Sequence, residues 1–419
     1  MRRIAIDTRP LRHPAYRRLF VGQGVAFVGF QVTAVAVPVQ VYDISRSSFW
    51  VGILGLVGLV PLVLFGLWGG AVADAVDRRR LLLLSSAVLW GVTLVLLAQA
   101  VAGLRNLPLI LALVAVQSAA FAVSSPTRNA IIPRLLSRDL VPAANTLNFT
   151  VTNVGTVAGP LLAGVVIARW GGFAAAYAID AVLFTVALYA ALRLPSLPPT
   201  AAADQPARPG LRSVVDGLRF IAGQPVLLMS FAVDIIAMVF AMPRALFPEV
   251  AETRFGGGEA VGWLFAAIAI GAVLGGLSSG WIGRVRRQGV ALTVAIVGWG
   301  LAVALSGLAQ ALWLAVVLLA VAGAADLVSA VFRQTILQVY APDEMRGRLQ
   351  GVFIVVVAGG PRLGDLRAGA TAAVAGATFS WVAGGIACAV VVVAAALLVP
   401  SFLRYDASKP APATADRVR

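Results

Sequence analysis

The sequence contains very little of the chemistry on which soluble metalloenzymes and disulfide-stabilised secreted proteins depend. Its 419 residues include a single cysteine, Cys388, and a single histidine, His13. One cysteine excludes an intramolecular disulfide framework, and one cysteine with one histidine excludes a Cys/His metal cluster. The sequence also has no P-loop of the form GxxxxGK[ST]. These absences disfavour an enzyme, and no cofactor or metal is expected.

Charged residues are also scarce, and apolar residues are abundant in their place. Charged residues make up 12% of the chain, hydrophobic residues make up 60%, and the mean hydropathy is +0.92. Soluble domains have about 25% charged and about 45–50% apolar residues, so a soluble core could not hide this much apolar surface. The composition therefore predicts an all-α integral membrane protein.

A membrane-spanning helix needs about 20 apolar residues, and the sequence divides into twelve stretches of that kind. The alternating strands of about ten residues that build a membrane β-barrel are missing from the sequence. We therefore predict twelve transmembrane helices. The predicted spans are 17–42, 49–72, 81–103, 108–132, 145–168, 173–194, 225–248, 260–282, 289–310, 312–337, 349–373 and 376–400.

The net charge of +15 could suggest nucleic acid as a partner, but the positions of the cations indicate membrane topology instead. Of the 33 lysines and arginines, 24 lie in the termini and in the connections on the same side of the predicted spans. Cytoplasmic segments carry such an excess. We expect both termini in the cytoplasm and the chain in the inner (plasma) membrane, with lipid and not nucleic acid around it. The cations in the opposite connections are Arg46, Arg105, Arg169, Arg244 and Arg254.

An internal repeat relates the two halves of the chain. SSPTRNAIIP at 124–133 corresponds to SAVFRQTILQ at 329–338, which matches Arg128 to Arg333. Each half holds an even number of spans, so both have the same orientation, as in parallel-repeat transporters with a midplane site between the halves. Residues 211–222 predict a short surface helix or a solvated linker. The predicted divisions are an N-terminal six-helix bundle at 1–194, a cytoplasmic inter-bundle loop at 195–224, a C-terminal six-helix bundle at 225–403 and a cytoplasmic tail at 404–419.

The connection between predicted spans 2 and 3 carries a dense cluster of charges, GGAVADAVDRRR at 69–80. This segment resembles the loop 2–3 motif of the major facilitator superfamily, in which glycine, an aspartate and a following arginine form a charge relay that latches the cytoplasmic gate. The resemblance covers nearly the whole chain and implies the twelve-helix fold of that superfamily. Asp77 stands where many members have glycine. The gate residues that the resemblance implies are Gly70, Asp74, Asp77, Arg78, Arg79 and Arg80.

A second motif, GTVAGPLLAG at 155–164, lies in predicted span 5. It is similar to the GxxxGPxxGG pattern of drug:proton antiporters in the same superfamily, with Ala163 in place of one glycine. The alternative is that this small-residue stripe serves close helix packing alone. HPAYR at 13–17 and AVPVQ at 36–40 resemble the enterobactin exporter branch. The residues of the antiporter motif are Gly155, Gly159, Pro160 and Gly164.

Four aspartates lie inside predicted spans, where a charge usually faces a partner or a wet cavity. Asp234 shares a helix face with Met238 and Met242, and no basic residue occurs within one turn of it. We therefore interpret Asp234 as a proton carrier instead of a member of a static salt bridge, with a face that could meet apolar cargo. Asp180 is interpreted as a helix-packing residue. The candidates for proton coupling are Asp234, Asp326 and Asp365.

Polar residues recur along predicted spans 4 and 10 at matching positions. Because Arg333 lies about 10 Å along the helix from Asp326, we do not expect these two to pair. Arg128 and Arg333 are predicted to hold helix carbonyls, with substrate binding as the alternative. In span 11, Arg362 and Asp365 are predicted to pair locally. The predicted substrate cavity comprises Gln31, Gln117, Phe121, Ser124, Arg128, Asp234, Met238, Met242, Asp326, Arg333, Arg362 and Arg367.

Arg367 is the last charged candidate, either a counter-charge for anionic or catecholate-like cargo or a packing residue. Together these features predict a secondary active exporter of a small organic molecule, a siderophore-like metabolite or an amphiphilic drug, that works by alternating access with proton antiport. A proton-coupled importer of the same fold is the nearest alternative, and a membrane-embedded enzyme is the most remote. The expected partners are the small-molecule substrate, protons and the lipid bilayer, and the protein is expected to work as a monomer.

Overall fold

The computed structural model describes residues 7–197, 211–342 and 345–406. Within those ranges it does not describe the side chains of 67–75, 211–214, 346–348, 350–351 and 354–355. The described chain is helical and contains no strand. Its α-helices are α1 (Pro14–Ser45), α2 (Ser48–Ala75), α3 (Arg78–Val101), α4 (Leu107–Leu135), α5 (Val141–Arg169), α6 (Gly172–Leu192), α7 (Leu211–Ala222), α8 (Pro225–Phe240), α9 (Phe247–Arg254), α10 (Glu259–Leu277), α11 (Gln288–Leu308), α12 (Leu312–Tyr340), α13 (Arg346–Ala375), α14 (Ala377–Leu398) and α15 (Pro400–Leu403).

The described part of the chain confirms a protein built from membrane-spanning helices. Eleven segments in it are long and apolar enough to cross a bilayer, with α8 and α9 counted together as Pro225–Arg254. The remaining predicted span, the eleventh at 349–373, corresponds to α13, which has 30 residues but carries Arg362, Asp365 and Arg367 in its second half. Helices satisfy every backbone polar group within one segment, which is what a bilayer requires of a spanning chain. The all-α membrane fold predicted from composition is thus confirmed.

The helices divide by their contacts into two compact units. Unit 1 comprises Met1–Arg208 with Phe247–Ala266, and unit 2 comprises Pro209–Leu246 with Ala267–Arg419. The predicted surface helix at 211–222 is present as α7, whereas residues 198–210 of the inter-bundle loop and 407–419 of the tail lie outside the described residues. The bundle boundaries given above stay a prediction.

Small residues decide how closely the helices pack inside each unit. In unit 1, α1 packs against α5 and α6, and α2 packs against α4. In unit 2, α10 and α12 approach so closely that a Cβ atom on Gly271 would overlap the carbonyl oxygen of Ala320, and one on Gly323 would overlap that of Ile268. Membrane helices lack a hydrophobic drive toward each other and associate through such small-residue contacts. Large apolar side chains such as Leu277 and Val374 point outward instead.

Candidate functional site

The described part of the gate motif is anchored to neighbouring helices of unit 1. Asp77 is the N-cap of α3, where its Oδ1 accepts a hydrogen bond from the backbone N–H of Arg80 at 3.1 Å. Its Oδ2 accepts from the Ser196 hydroxyl at 2.8 Å and from the Leu197 N–H at 3.0 Å. Arg78 donates to the carbonyl of Ala130 at 3.3 Å. The connection is therefore tied to α4 and to the segment after α6.

Of the remaining gate residues, Arg79 has a described side-chain contact, whereas Gly70 and Asp74 fall where side chains are not described. Arg79 donates from Nη2 to the carbonyl of Leu192 at 2.7 Å, at the end of α6. The side chain of Asp74, like the surroundings of Gly70, lies outside the described residues. The charge relay that the resemblance implies stays a prediction for this reason. Asp77, which departs from the usual glycine, acts here as a helix cap.

The environment of Asp77 leads to a pH-dependent prediction. Partial burial raises the pKa of this carboxyl, but the hydrogen bonds from Ser196 and from backbone N–H groups outweigh that effect and lower the pKa. A lowered pKa means that Asp77 stabilises the fold above the unfolded-state value of about 3.9 and loses that contribution as the pH falls through the folded-state value. Asp77→Ala should therefore lower the free energy of unfolding by about 1 kcal/mol at neutral pH.

The measurement is chemical unfolding of the purified protein in detergent at about pH 7 and about pH 3. Asp77→Asn is the matched control, because asparagine retains a capping oxygen and does not titrate. We expect the difference between wild type and Asp77→Ala to shrink at the lower pH. Equal stabilities of wild type and Asp77→Ala at neutral pH, or a difference that acid leaves unchanged, would contradict this role.

The residues of the antiporter motif form a packing surface within unit 1. A Cβ on Gly155 would lie 2.6 Å from the ring of Phe27, and one on Gly159 would overlap the side chain of Gln31. On the following turns of α5, Gly164 faces the backbone of Gly262 at the start of α10. The stripe of small residues thus brings α5 against both α1 and α10, with the buried Pro160 between them.

Three of the five arginines in the connections predicted to face away from the cytoplasm have carboxylate partners in unit 1. Arg46 pairs with both Asp43 and Glu252, and the hydrogen bond with Glu252 raises the pKa of Arg46. These arginines are neutralised where cations are otherwise disfavoured. The remaining pairs are Arg105 with Asp43 at 3.0 Å and Arg169 with Glu259 at 2.6 Å.

The candidates on α4 lie beside an aromatic recess in unit 1. Phe121, Ser124 and Arg128 line this recess, and Arg128 donates to the Ser124 hydroxyl at 3.3 Å. Gln117 is half-buried one turn away on α4, and Gln31 packs its side chain against Gly159. The structure thus brings three of the predicted cavity residues together.

Sequence reasoning did not single out other members of this recess. Gln23, Phe27 and Phe30 also line it, and Phe30 stacks on Phe121 with ring centroids 5.6 Å apart. The signal that could have found Gln23 is its distance from the start of its helix. It stands as far along α1 from Pro14 as Asp234 stands along α8 from Pro225.

Two of the three acidic candidates of unit 2, Asp234 and Asp326, meet around one guanidinium group. Arg333 on α12 donates from Nη1 to Asp234 Oδ1 on α8, and both side chains are almost completely buried, with 6% and 2% exposed. The other arm, Nη2, lies 4.0 Å from Asp326 Oδ1, whose side chain is 32% exposed. The interpretation of Asp234 as an acid without a static ion pair was wrong. The expectation that Asp326 and Arg333 would not pair was also wrong, because the long Arg333 side chain extends back along α12.

The charges on α13 are arranged differently from the local pair that the sequence predicts. Asp365 accepts from the backbone N–H of Ala245 at 3.2 Å, and Nη1 of Arg362 is buried with no hydrogen-bond partner in the described chain. The i, i+3 spacing allows a pair, but the nearby backbone donor takes the carboxylate instead. The predicted ion pair of Arg362 with Asp365 was wrong.

Arg367, Met238 and Met242 serve helix packing in unit 2. Arg367 donates to the carbonyls of Phe240 at 2.7 Å and Val239 at 3.1 Å, where α8 ends, and to that of Ser380 at 3.4 Å on α14. Met238 and Met242 are buried, and both lie against Gly364 of α13. Of the two interpretations of Arg367, these contacts favour the packing residue over the counter-charge for cargo.

The chain is similar to known membrane proteins over nearly its whole length. A family model described as "transmembrane secretion effector" matches residues 6–415. The enterobactin exporter EntS of Shigella boydii serotype 18 is 30% identical over 404 residues, which cover 95% of this chain and 95% of that protein. The protein of the same name from Escherichia coli O139:H28 matches with the same identity and coverage. All of these matches are to membrane transporters and none is to an enzyme.

Solved structures resemble the fold at much lower sequence identity. The crystal structure of the nucleoside transporter NupG matches with a TM-score of 0.74 and 14% identity, covering 94% of this chain and all of that one. A bacterial homologue of the human lysosomal transporter Spinster, in an inward-facing and unoccupied conformation, matches with a TM-score of 0.69 and 17% identity, covering 95% and 97%. At these identities the similarity concerns the fold alone.

Proposed function

Because the chain belongs to the major facilitator superfamily, within its transmembrane secretion effectors, we propose that it is a proton-coupled secondary exporter of a small organic molecule. Membrane transport of a small molecule follows from the family. The direction of transport, its coupling to protons and the kind of cargo are the parts that we propose. The observation that carries the proposal is the buried ion pair of Asp234 with Arg333.

A buried ion pair is suited to exchange a proton because the two charges compensate each other only while both are present. Protonation of Asp234 removes the counter-charge of Arg333, and an unpaired buried charge is strongly unfavourable. The guanidinium group then needs another acceptor. Asp326, 4.0 Å from Nη2 and more exposed, is the nearest carboxylate in the described chain. Arg333 would therefore shift between Asp234 and Asp326 as protons bind and leave.

This shift supplies a coupling step for antiport by alternating access. Each proton that enters along a membrane potential of 100 mV contributes about 2.3 kcal/mol, to which a pH gradient adds. The carboxylate of Asp365 is held by a backbone N–H and not by an arginine, which makes it the second candidate for the proton. The gate motif around Asp77 and Arg78 would latch the conformational change, as the resemblance implies.

The kind of cargo is proposed from the relatives. The curated relatives are named as enterobactin exporters at 30% identity over nearly the full chain, which favours a siderophore-like metabolite over a drug-like amphiphile. We place the protein in the inner membrane with both termini in the cytoplasm, in line with the distribution of its cations. A monomer suffices for this mechanism, because all groups invoked belong to one chain.

Transport into inside-out membrane vesicles tests the direction of the proposed flux, with enterobactin as the first probe. In such vesicles an acidic interior reproduces the proton gradient of the cell. An exporter with proton antiport should accumulate the probe when the interior is acidified and not when the gradient is collapsed with an ionophore. Accumulation only when the exterior is acidified would indicate a proton-coupled importer and overturn the proposal. A panel of amphiphilic drugs under the same conditions separates the two cargo classes.

A further inference from the structure

The aromatic recess in unit 1 has the composition of a ligand site. Small-molecule sites are lined mainly by apolar and aromatic side chains with a few placed polar groups, and this recess is lined in that way. Four phenylalanines line it, and the polar groups are few. The residues that line it are Leu19, Gln23, Ala26, Phe27, Phe30, Leu82, Ser86, Leu89, Phe121, Ser124, Arg128, Phe184, Ala187 and Ala191.

The only charge in the lining of this recess is that of Arg128. Its described hydrogen bond is to the neutral hydroxyl of Ser124 at 3.3 Å, and none of the lining residues is acidic. The side-chain nitrogen of Gln23 is buried in the same lining with no hydrogen-bond partner in the described chain. A guanidinium without a counter-charge and an amide donor without an acceptor both favour an anion.

The two arginines related by the internal repeat have different surroundings in the described chain. Arg128 corresponds to Arg333, and Arg333 is neutralised in unit 2 by Asp234. Gln23 holds on α1 the position that Asp234 holds on α8, counted from the proline that begins each helix. The two units therefore share an arginine but differ in the residue that would neutralise it. In unit 1 a neutral amide replaces the carboxylate.

We propose that this recess binds an aromatic anion, with its negative group on Arg128 and Gln23 and its ring on Phe30 and Phe121. These two rings stack nearly parallel, with an angle of 11° between their planes, and they line the same recess as Arg128, so the recess offers both an aromatic face and a cation. Offset stacking on aromatic rings favours an aromatic ligand over a saturated one of equal size. The inference rests on the proposed export function and names the chemical class of its cargo.

Binding of three matched probes to the full chain in lipid nanodiscs tests the inference by isothermal titration calorimetry. The probes are 2-naphthoate, its neutral amide 2-naphthamide and the saturated anion decahydro-2-naphthoate. We expect naphthoate to bind about 10 to 100 times more tightly than the amide, the effect of one hydrogen bond to a charged group. It should bind a few times more tightly than the saturated anion. Equal affinity for the anion and the amide would overturn the inference.

Two substitutions locate the site. Arg128→Gln should lower the affinity for naphthoate at least tenfold and leave that for naphthamide unchanged. Gln23→Glu should also lower the affinity for naphthoate at least tenfold, because the new carboxylate would neutralise Arg128 as Asp234 neutralises Arg333. The glutamate side chain has almost the same shape as glutamine, so the recess should keep its form. Arg138→Gln, at an exposed arginine between α4 and α5, is the matched control and should bind as the wild type does.

Thermal unfolding of each variant shows whether a loss of binding reflects a loss of folding. Naphthoate affinity that survives both Arg128→Gln and Gln23→Glu in folded protein would overturn the site. The binding assay uses no proton gradient, so its outcome is separate from that of the vesicle assay. Binding without transport would end the export proposal alone, whereas acid-driven export of a cargo without naphthoate binding would end this inference alone.

Discussion

Asp234→Ala is expected to destabilise the protein by about 3–5 kcal/mol, the usual effect of removing one partner of a buried ion pair. Arg333 would keep its charge in a site where only 6% of its side chain is exposed. Asp326 cannot fully replace the lost carboxylate, because it lies 4.0 Å from Nη2. The measurement is the free energy of unfolding in mixed micelles at constant lipid composition.

A double substitution separates the ion pair from other effects at the same position. Asp234→Ala combined with Arg333→Met removes both charges, so most of the lost stability should return, since apolar replacements of buried pairs are often neutral. Asp139→Ala, at an exposed acid, is the control and should change stability by less than about 0.5 kcal/mol. Losses that simply add in the double variant would contradict a direct interaction of the two side chains.

Gly271→Ala is expected to destabilise unit 2 by about 1–3 kcal/mol or more, because the new methyl group would overlap the backbone of α12. The obstructing atom is the carbonyl oxygen of Ala320. A backbone atom cannot move aside as a flexible side chain can, so the two helices have to separate. Thermal unfolding in detergent measures the effect.

Gly298→Ala on α11 is the matched control for this substitution. No atom lies within 4 Å of the position that its Cβ would take. Alanine is also the better helix former by about 1 kcal/mol, so Gly298→Ala should be neutral or slightly stabilising. If both variants lost the same stability, close packing of α10 and α12 would not be the cause.

The membrane fold could be predicted from the sequence because a bilayer leaves so few alternatives. Long apolar segments can satisfy their backbone groups only as helices, and the helices of the described chain follow the predicted spans closely. One predicted span, 225–248, is not a single helix. In the structure α8 ends at Phe240, a short turn follows, and α9 begins at Phe247. A pattern of hydropathy alone does not reveal that break.

The arrangement of the charges could not be predicted in the same way, because it depends on contacts between distant segments. Asp234 and Arg333 are 99 residues apart, and no spacing rule within a helix brings them together. The reverse holds for Arg362 and Asp365, whose spacing allows a pair, whereas in the structure Asp365 accepts from the backbone N–H of Ala245. The sequence did identify the acids as candidates, because a charged residue inside a membrane span is energetically costly and usually faces a partner or a wet cavity.

The central claim is that Asp234 exchanges its partner Arg333 for a proton during transport, and proton-driven uptake by Asp234→Asn tests it most directly. Asparagine retains an oxygen that can accept a hydrogen bond from Arg333, so the variant should fold. In inside-out vesicles loaded with the siderophore probe used above, it should still exchange labelled for unlabelled probe. Uptake driven by an acidic interior should fall at least tenfold below that of the wild type. If acid-driven uptake by Asp234→Asn equals that of the wild type, the account is contradicted, and Asp326 or Asp365 carries the proton instead.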